Sequence, residues 1–250
     1  MLRATGMIPR DDTLIWPAIL ERAPAAVEAS SLYGPIIEGP IVLGRITQSL
    51  DGRIAAATGA SFWIGGAEDI LHTHRLRALF DAVIVGAGTV RADDPLLTTR
   101  HCLGPSPVRV VIDAERRLPV SHRVFNGGPR TLLVCAEDRA GGARHGDAEV
   151  VGVARGAGGL APADIVAALR ARGLLRLFVE GGGTTVSRFF AAGVLDRLHV
   201  TIAPLLLGAG VDGFVLPGVN RPEDGWHLDW SVHRLGHDVL FDIDLRRTVR

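Results

Sequence analysis

Short apolar runs rich in β-branched residues alternate with stretches of helical spacing along most of the chain. Ile41 to Ile46 is the first such run, followed by Ala82–Val85, Val108–Ile112 and Thr131–Cys135. A shorter run, Glu149 to Val151, precedes Leu175–Val179 and Leu198–Ala203, the last ending at Pro204. Runs of this length and composition read as strands. Helical spacing predicts helices over residues 68–80, 163–172 and 185–192; Ile165, Val166 and Leu169 mark the second, and Glu68 and Asp69 fall in the first turn of the first. The order β-α-β-β-β-α-β-α-β argues a mostly parallel sheet flanked by helices.

The tail follows another rule. Residues 226–235 and 239–245 alternate apolar and polar positions around Gly236-His237-Asp238, the signature of an antiparallel hairpin that closes the sheet. Ahead of the first strand, prolines 9, 17, 24 and 35 interrupt residues 1–39, which are expected to be an irregular N-terminal extension. Ile15-Trp16-Pro17 and Ile19-Leu20 could start one short docking helix in it. Residues 40–250 are expected to form a single α/β domain. Residues 49–61 read as a loop of small residues, and the Gly- and Ala-rich stretch 141–159 as a flexible connection around a short strand.

Composition narrows the function. Of 250 residues, 47% are hydrophobic and 22% charged, as in a water-soluble globular protein. Lys+Arg and Asp+Glu are both 27, so nothing points to nucleic acid or an anionic membrane as partner. All the basic residues are arginines, so no lysine is available as a Schiff-base former or general base. Cys102 reads as a loop thiol and Cys135 as a buried strand residue, and neither has metal-ligand spacing. No run approaches the ~18 apolar residues of a membrane span, and residues 1–10 lack a signal-peptide core. The cytoplasm is the expected location. His72 and His74 are two apart on a helix and do not share a face, and the other histidines are scattered, so no metal is expected.

Two strands run straight into glycines. Ala82–Val85 leads into Gly86-Ala87-Gly88-Thr89, and Leu177–Glu180 into Gly181-Gly182-Gly183-Thr184-Thr185. Glycines let backbone N–H groups approach an anion, and a following helix adds positive potential there. Two such corners suit an extended ligand with several phosphates, a dinucleotide above all. No single GxGxxG fingerprint, P-loop or GxSxG elbow is present. Asp93, before Asp94-Pro95, could accept from ribose hydroxyls or cap its segment. Glu180, at a strand's carboxyl end, could hold a polar substrate, polarise water or cap a helix. Trp63 could stack on a heterocycle or serve the core, and Arg77 and Arg100 could bind a phosphate or lie in solvent.

In combination these segments resemble a known family. Ser49-Leu50-Asp51-Gly52-Arg53-Ile54-Ala55, Trp63-Ile64, Arg75-Leu76-Arg77 and the run from Val85 through Ala92-Asp93-Asp94-Pro95 to Arg100 are similar to the reductase domain of bacterial riboflavin biosynthesis proteins. Val179-Glu180-Gly181-Gly182-Gly183 and Ile202-Ala203-Pro204-Leu205-Leu206-Leu207-Gly208 extend the match to roughly residues 40–246. The resemblance implies a dihydrofolate-reductase-like fold and NADPH as cofactor. It assigns Thr47, Trp63, Gly86, Gly88, Thr89, Asp93 and Gly181 to Thr184 to cofactor binding. It assigns Ser61, Arg77, Leu97, Arg100 and Glu180 to a phosphorylated pyrimidine substrate. The implied reaction reduces the ribosyl group of 5-amino-6-(5-phosphoribosylamino)uracil to a ribitylamino group.

Glu180, Asp51 or water are the candidate proton shuttles. Residues 1–39 are too short for the zinc deaminase of the bifunctional relatives. Many relatives place a serine near the adenosine 2′-phosphate where Ala114 stands here, which leaves Arg116 or Arg117 for that phosphate. A homodimer is expected through Val200–Ala203 and Pro204–Leu207. A same-fold reductase of another carbonyl, imine or pteridine, and a non-catalytic NADPH-binding protein, are the alternatives.

Overall fold

The apolar runs lie side by side because both faces of their sheet are covered. The computed structural model describes residues 6–7, 10–61, 64–156 and 158–247. In chain order the longer strands are β1 (Ile41–Ser49), β2 (Arg53–Ala56), β3 (Ala82–Gly86), β4 (Val108–Ile112), β5 (Thr131–Ala136) and β6 (Ala148–Val153). They continue with β7 (Arg176–Glu180), β8 (Arg197–Ala203), β9 (Gly210–Asp212), β10 (Trp230–Leu235) and β11 (Asp238–Asp244). The main sheet runs β10-β11-β8-β1-β7-β3-β4-β5-β6, with two-residue strands Gly6–Met7 and Arg144–His145 at its two edges. From β8 to β6 every neighbouring pair is parallel. β11 and β10 pair antiparallel, which is the expected C-terminal hairpin, although its first strand begins at Trp230 rather than at residue 226.

Helices cover both faces. In the N-terminal segment these are α1 (Arg10–Leu14), α2 (Trp16–Leu20), α3 (Pro24–Ala29) and α4 (Gly34–Ile37). The later ones are α5 (Ala67–Leu79), α6 (Ala87–Asp93), α7 (Pro162–Arg170) and α8 (Gly183–Ala191). Alternate strand residues feed two cores. Val83, Val85, Leu43 and Phe178 join Leu76 of α5 and the N-terminal residues Trp16, Ile19, Tyr33 and Ile36. Ala82, Ile84, Val42 and Leu177 join Ile165 of α7 and Val186 and Phe189 of α8. This two-sided burial is why the strands read as continuous apolar runs rather than as alternating ones.

Three expectations change. The helix expected at Ile15–Leu20 forms as α2, but the rest of the N-terminal segment is also helical in short pieces, and the segment is part of the core: Ile19, Leu32, Tyr33, Ile36 and Ile37 are fully buried. Its prolines start helices instead of breaking them, since Pro17, Pro24 and Pro35 sit in first turns, where a missing N–H costs nothing. Arg176 ties it down, donating to the carbonyls of Ile36 (2.5 Å), Gly39 (3.2 Å) and Leu79 (3.0 Å) while stacked over Phe80. The loop 49–61 contains β2, which pairs with β9 in a small second sheet. In the stretch 141–159 the expected short strand forms, extended to Ala148–Val153 as β6, and is a full member of the main sheet. Finally, β8 is hydrogen-bonded on both sides, to β1 and β11, so Val200–Ala203 is not an exposed edge. Of that proposed dimer surface, Leu205 and Leu206 remain exposed.

Cys135 is fully buried in β5, and burial pushes the half-buried Cys102 thiol up to about 11. Among the described residues no helix is long and apolar enough to cross a membrane.

Candidate active site

Strands β7 and β3 are parallel neighbours, so both glycine corners leave the sheet at the same end. The corners interlock. A Cβ on Gly86 would collide with Thr185 Oγ1, and a Cβ on Gly182 would stand 2.9 Å from Thr89 Oγ1. Each corner thus receives the other's threonine. Gly181 and Gly182 also adopt φ of +69° and +67°, a region that a side chain penalises. Gly182 begins α8 without any side-chain cap, so the first amides of that nine-residue helix keep their donors for a ligand.

The corners open into a cleft of about 1400 Å³. Drug-sized ligands fill roughly 300–1,000 Å³, so this volume suits a larger ligand or two ligands together. The expected cofactor positions Thr47, Gly86, Gly88, Thr89, Asp93 and Gly181 to Thr184 all line it. The expected substrate positions Ser61, Arg77, Leu97, Arg100 and Glu180 line the same cleft. Trp63 lies outside the described residues.

Arg77 and Glu180 form a bidentate pair, Nε to Oε2 at 2.8 Å and Nη2 to Oε1 at 2.5 Å, and Arg77 Nη1 donates to the Thr98 carbonyl at 3.0 Å. Burial raises the Glu180 carboxyl, but the Arg77 guanidinium more than offsets this and holds it below the usual carboxylate range. Glu180 therefore meets a ligand as an ionised acceptor, and Arg77 serves Glu180 rather than standing free for a phosphate. Among the described residues the Arg100 guanidinium makes a single hydrogen bond, Nη1 to Thr98 Oγ1 at 2.9 Å. Its backbone N–H is fixed by His74 Nδ1 at 3.0 Å. Burial, reinforced by Arg77, lowers His74 to about 4, which keeps that nitrogen an acceptor at neutral pH.

Ser61 Oγ donates to Asp93 Oδ1 at 3.3 Å, and desolvation with the Glu180 charge raises the Asp93 carboxyl. Asp94 ends α6 at φ +39°, outside the right-handed helical region as expected before Pro95 but left-handed rather than extended, and buried Leu97 holds φ +55°. A leucine in that region costs on the order of 1 kcal/mol, so the turn at Leu97 is imposed by its surroundings beside the cleft.

Two polar residues at the cleft floor had no functional reading in the sequence. Arg45 of β1 pairs with Asp69 of α5, and Thr47 Oγ1 donates to Asp69 Oδ2 at 2.9 Å. The only signal was a charged residue inside an apolar strand, while Asp69 passed as an ordinary first-turn acid.

Asp51 departs from its expected role. It is not among the residues lining the cleft. Its carboxylate accepts from Ser49 Oγ (2.6 Å) and from the amides of Leu207 (3.1 Å) and Gly208 (2.6 Å), which lower it to about 2. The geometry makes it a fastener between two loops. Arg116 is also committed elsewhere: it donates to the carbonyls of Arg139 (3.3 Å), Arg144 (2.6 Å) and Gly141, so it is not free for a 2′-phosphate.

Known proteins are similar to this chain in fold and sequence. The model of the RibD C-terminal domain family matches residues 40–235. The riboflavin biosynthesis protein RibD of Mycobacterium tuberculosis is 34% identical over 213 residues, 83% of this chain and 55% of that protein. The chain therefore spans about half the length of such relatives. A 2,5-diamino-6-ribosylamino-4(3H)-pyrimidinone 5′-phosphate reductase of Methanothermobacter thermautotrophicus is 34% identical, covering 83% of this chain and 99% of that one. The crystal structure of a deaminase/5-amino-6-(5-phosphoribosylamino)uracil reductase from Thermotoga maritima superposes with a TM-score of 0.69 at 26% identity, over 88% of this chain and 61% of that one. The match covers both glycine corners, the Arg77–Glu180 pair and the floor of the cleft, and the chain belongs to the RibD C-terminal domain family.

Proposed function

We propose that this chain is a reductase of the riboflavin pathway. It would use NADPH to reduce the ribosyl group of a phosphoribosylamino pyrimidine to a ribitylamino group. The observation that carries the reading is the convergence of the two glycine corners on one cleft that also holds Arg100 and the Arg77–Glu180 pair. Family membership and the similarity to a named pyrimidinone phosphate reductase support it.

The residues fit a dinucleotide. Gly181, Gly182 and the first amides of α8 would hold the pyrophosphate, with Thr89 and Gly86 on the other wall. The cofactor supplies the hydride, and the protein supplies placement and charge. Ionised Glu180 would accept from the pyrimidine's N–H groups, and Arg100, exposed with most of its donors uncommitted, would take the 5′-phosphate. With Glu180 ionised and Asp51 tied into a loop, the proton for the reduced sugar comes from water. NADPH in preference to NADH, a cytoplasmic location and a homodimer using exposed Leu50, Leu205 and Leu206 belong to the same proposal.

The test follows reduced-nicotinamide absorbance with NADPH and the deaminated phosphoribosylamino pyrimidine. Turnover is expected, and Arg100→Ala should raise KM for this substrate by about tenfold or more, the loss of one charge-assisted phosphate contact. Turnover of an unphosphorylated carbonyl alone would favour a same-fold reductase of another substrate. Tight NADPH binding without oxidation by any aminopyrimidine would favour a non-catalytic binding protein.

A further inference from the structure

Helix α5 turns a polar face to the sheet, and three residues on that face each reach a different strand. Asp69 pairs with Arg45 of β1, His72 meets His199 of β8, and Arg77 grips Glu180 of β7. β8, β1 and β7 are consecutive in the sheet. The Asp69–Arg45 and Arg77–Glu180 contacts form part of the cleft, and the His72–His199 contact does not. It belongs instead to a longer buried chain. Tyr33 Oη lies 3.0 Å from His72 Nδ1, His72 Nε2 lies 3.1 Å from His199 Nδ1, and His199 Nε2 lies 3.1 Å from Asp242 Oδ1. Tyr33, His72 and His199 have no exposed surface.

The direction of these bonds follows from the donors and acceptors available. Asp242 also accepts two N–H bonds from Arg197, at 2.6 and 2.8 Å. Burial raises its carboxyl, but the neighbouring His199 and Arg197 more than compensate and hold it well below the carboxylate range, so it only accepts. Burial, with His199, Arg45, Arg75 and His233 around it, keeps the His72 ring neutral. A neutral imidazole has one donor and one acceptor. The Tyr33 hydroxyl is fully buried and, among the described residues, its hydrogen-bond acceptor is His72 Nδ1, so it donates there. Neutral His72 then carries its proton on Nε2 and donates it to His199 Nδ1, which leaves the His199 proton on Nε2, the nitrogen that faces Asp242.

We propose that this chain is proton-ordered from Tyr33 through His72 and His199 to Asp242, and that His72 is thereby a positioning residue for the cleft. Held at both ring nitrogens, it fixes the middle of α5, so that Asp69 and Arg77 stay aligned on Arg45 and Glu180. Tyr33 lies in the N-terminal segment, outside the residues 40–235 matched by the family model. The kinetic consequence rests on the reductase reading; the proton order does not.

Long-range proton–nitrogen NMR of the wild-type protein near neutral pH tests the order. The expected spectrum has one proton on each ring, on Nε2 of both His72 and His199. A His72 proton on Nδ1, or either ring doubly protonated, overturns it. Tyr33→Phe tests the positioning. With one buried hydrogen bond gone, amide exchange across residues 67–79 should quicken about tenfold. kcat should fall by about threefold to tenfold while coenzyme affinity stays within about twofold, because the glycine corners are not on α5. Unchanged exchange, or equal losses of kcat and coenzyme affinity, would overturn the positioning role. A wild-type protein inactive on the pyrimidine would count against the reductase reading, and the NMR and exchange results would still decide this one.

Discussion

The two glycine corners look alike in sequence and are built for different reasons. At Gly86 the backbone is ordinary, with φ −84°, and the glycine is there for space, because Thr185 Oγ1 occupies the place of a Cβ. At Gly181 and Gly182 the backbone itself is left-handed, so the glycines serve conformation first. Gly183 is a third case, with a close approach to backbone: a Cβ there would stand 2.5 and 2.6 Å from the carbonyl oxygens of Asp212 and Gly213. Gly88 belongs to none of these, with nothing within 4 Å of its would-be Cβ. A repeated glycine therefore marks a corner without saying which physical demand it meets, and each demand can be broken separately.

Gly183→Ala should be the most damaging change. Backbone carbonyls cannot rotate away, so the loss of stability should reach about 2–3 kcal/mol in a denaturant melt. Gly182→Ala comes next, at about 1–2 kcal/mol for the left-handed residue, and with it a larger loss of coenzyme affinity than of stability, since the corner's amides turn away. Gly86→Ala should cost on the order of 1 kcal/mol, and adding Thr185→Ala should recover most of it, because the clash is with that one side chain. Additive losses in the double variant would show that Gly86 serves something other than space. Gly88→Ala should be neutral or should stabilise by about 0.5–1 kcal/mol, as alanine does inside a helix.

The same contrast explains what could be read from the chain beforehand. Strands buried on both faces announce themselves as apolar runs, and the order of elements then led to a parallel sheet with an antiparallel end. Of the N-terminal helices only α2 was legible, from Ile15 to Leu20; α4 has four residues, too short for a periodic pattern, and it is held by Arg176 far along the chain. In the cleft, the corners were visible because two apolar strands each run straight into glycines and a helix. Arg45 and Asp69 were not, since each has an ordinary local explanation and only the fold pairs them. Asp51 was over-read for the converse reason. An acid in a turn beside a glycine looks available until Leu207 and Gly208, distant in sequence, are brought against it.

The central claim is that both corners serve one dinucleotide. Calorimetric titration of the wild-type, Gly86→Ala and Gly182→Ala proteins with NADPH tests it most directly. One equivalent should bind to the wild type, and Gly86→Ala and Gly182→Ala should each bind at least about tenfold more weakly. No heat of binding with the folded wild-type protein, or equal affinity in all three, would contradict the account.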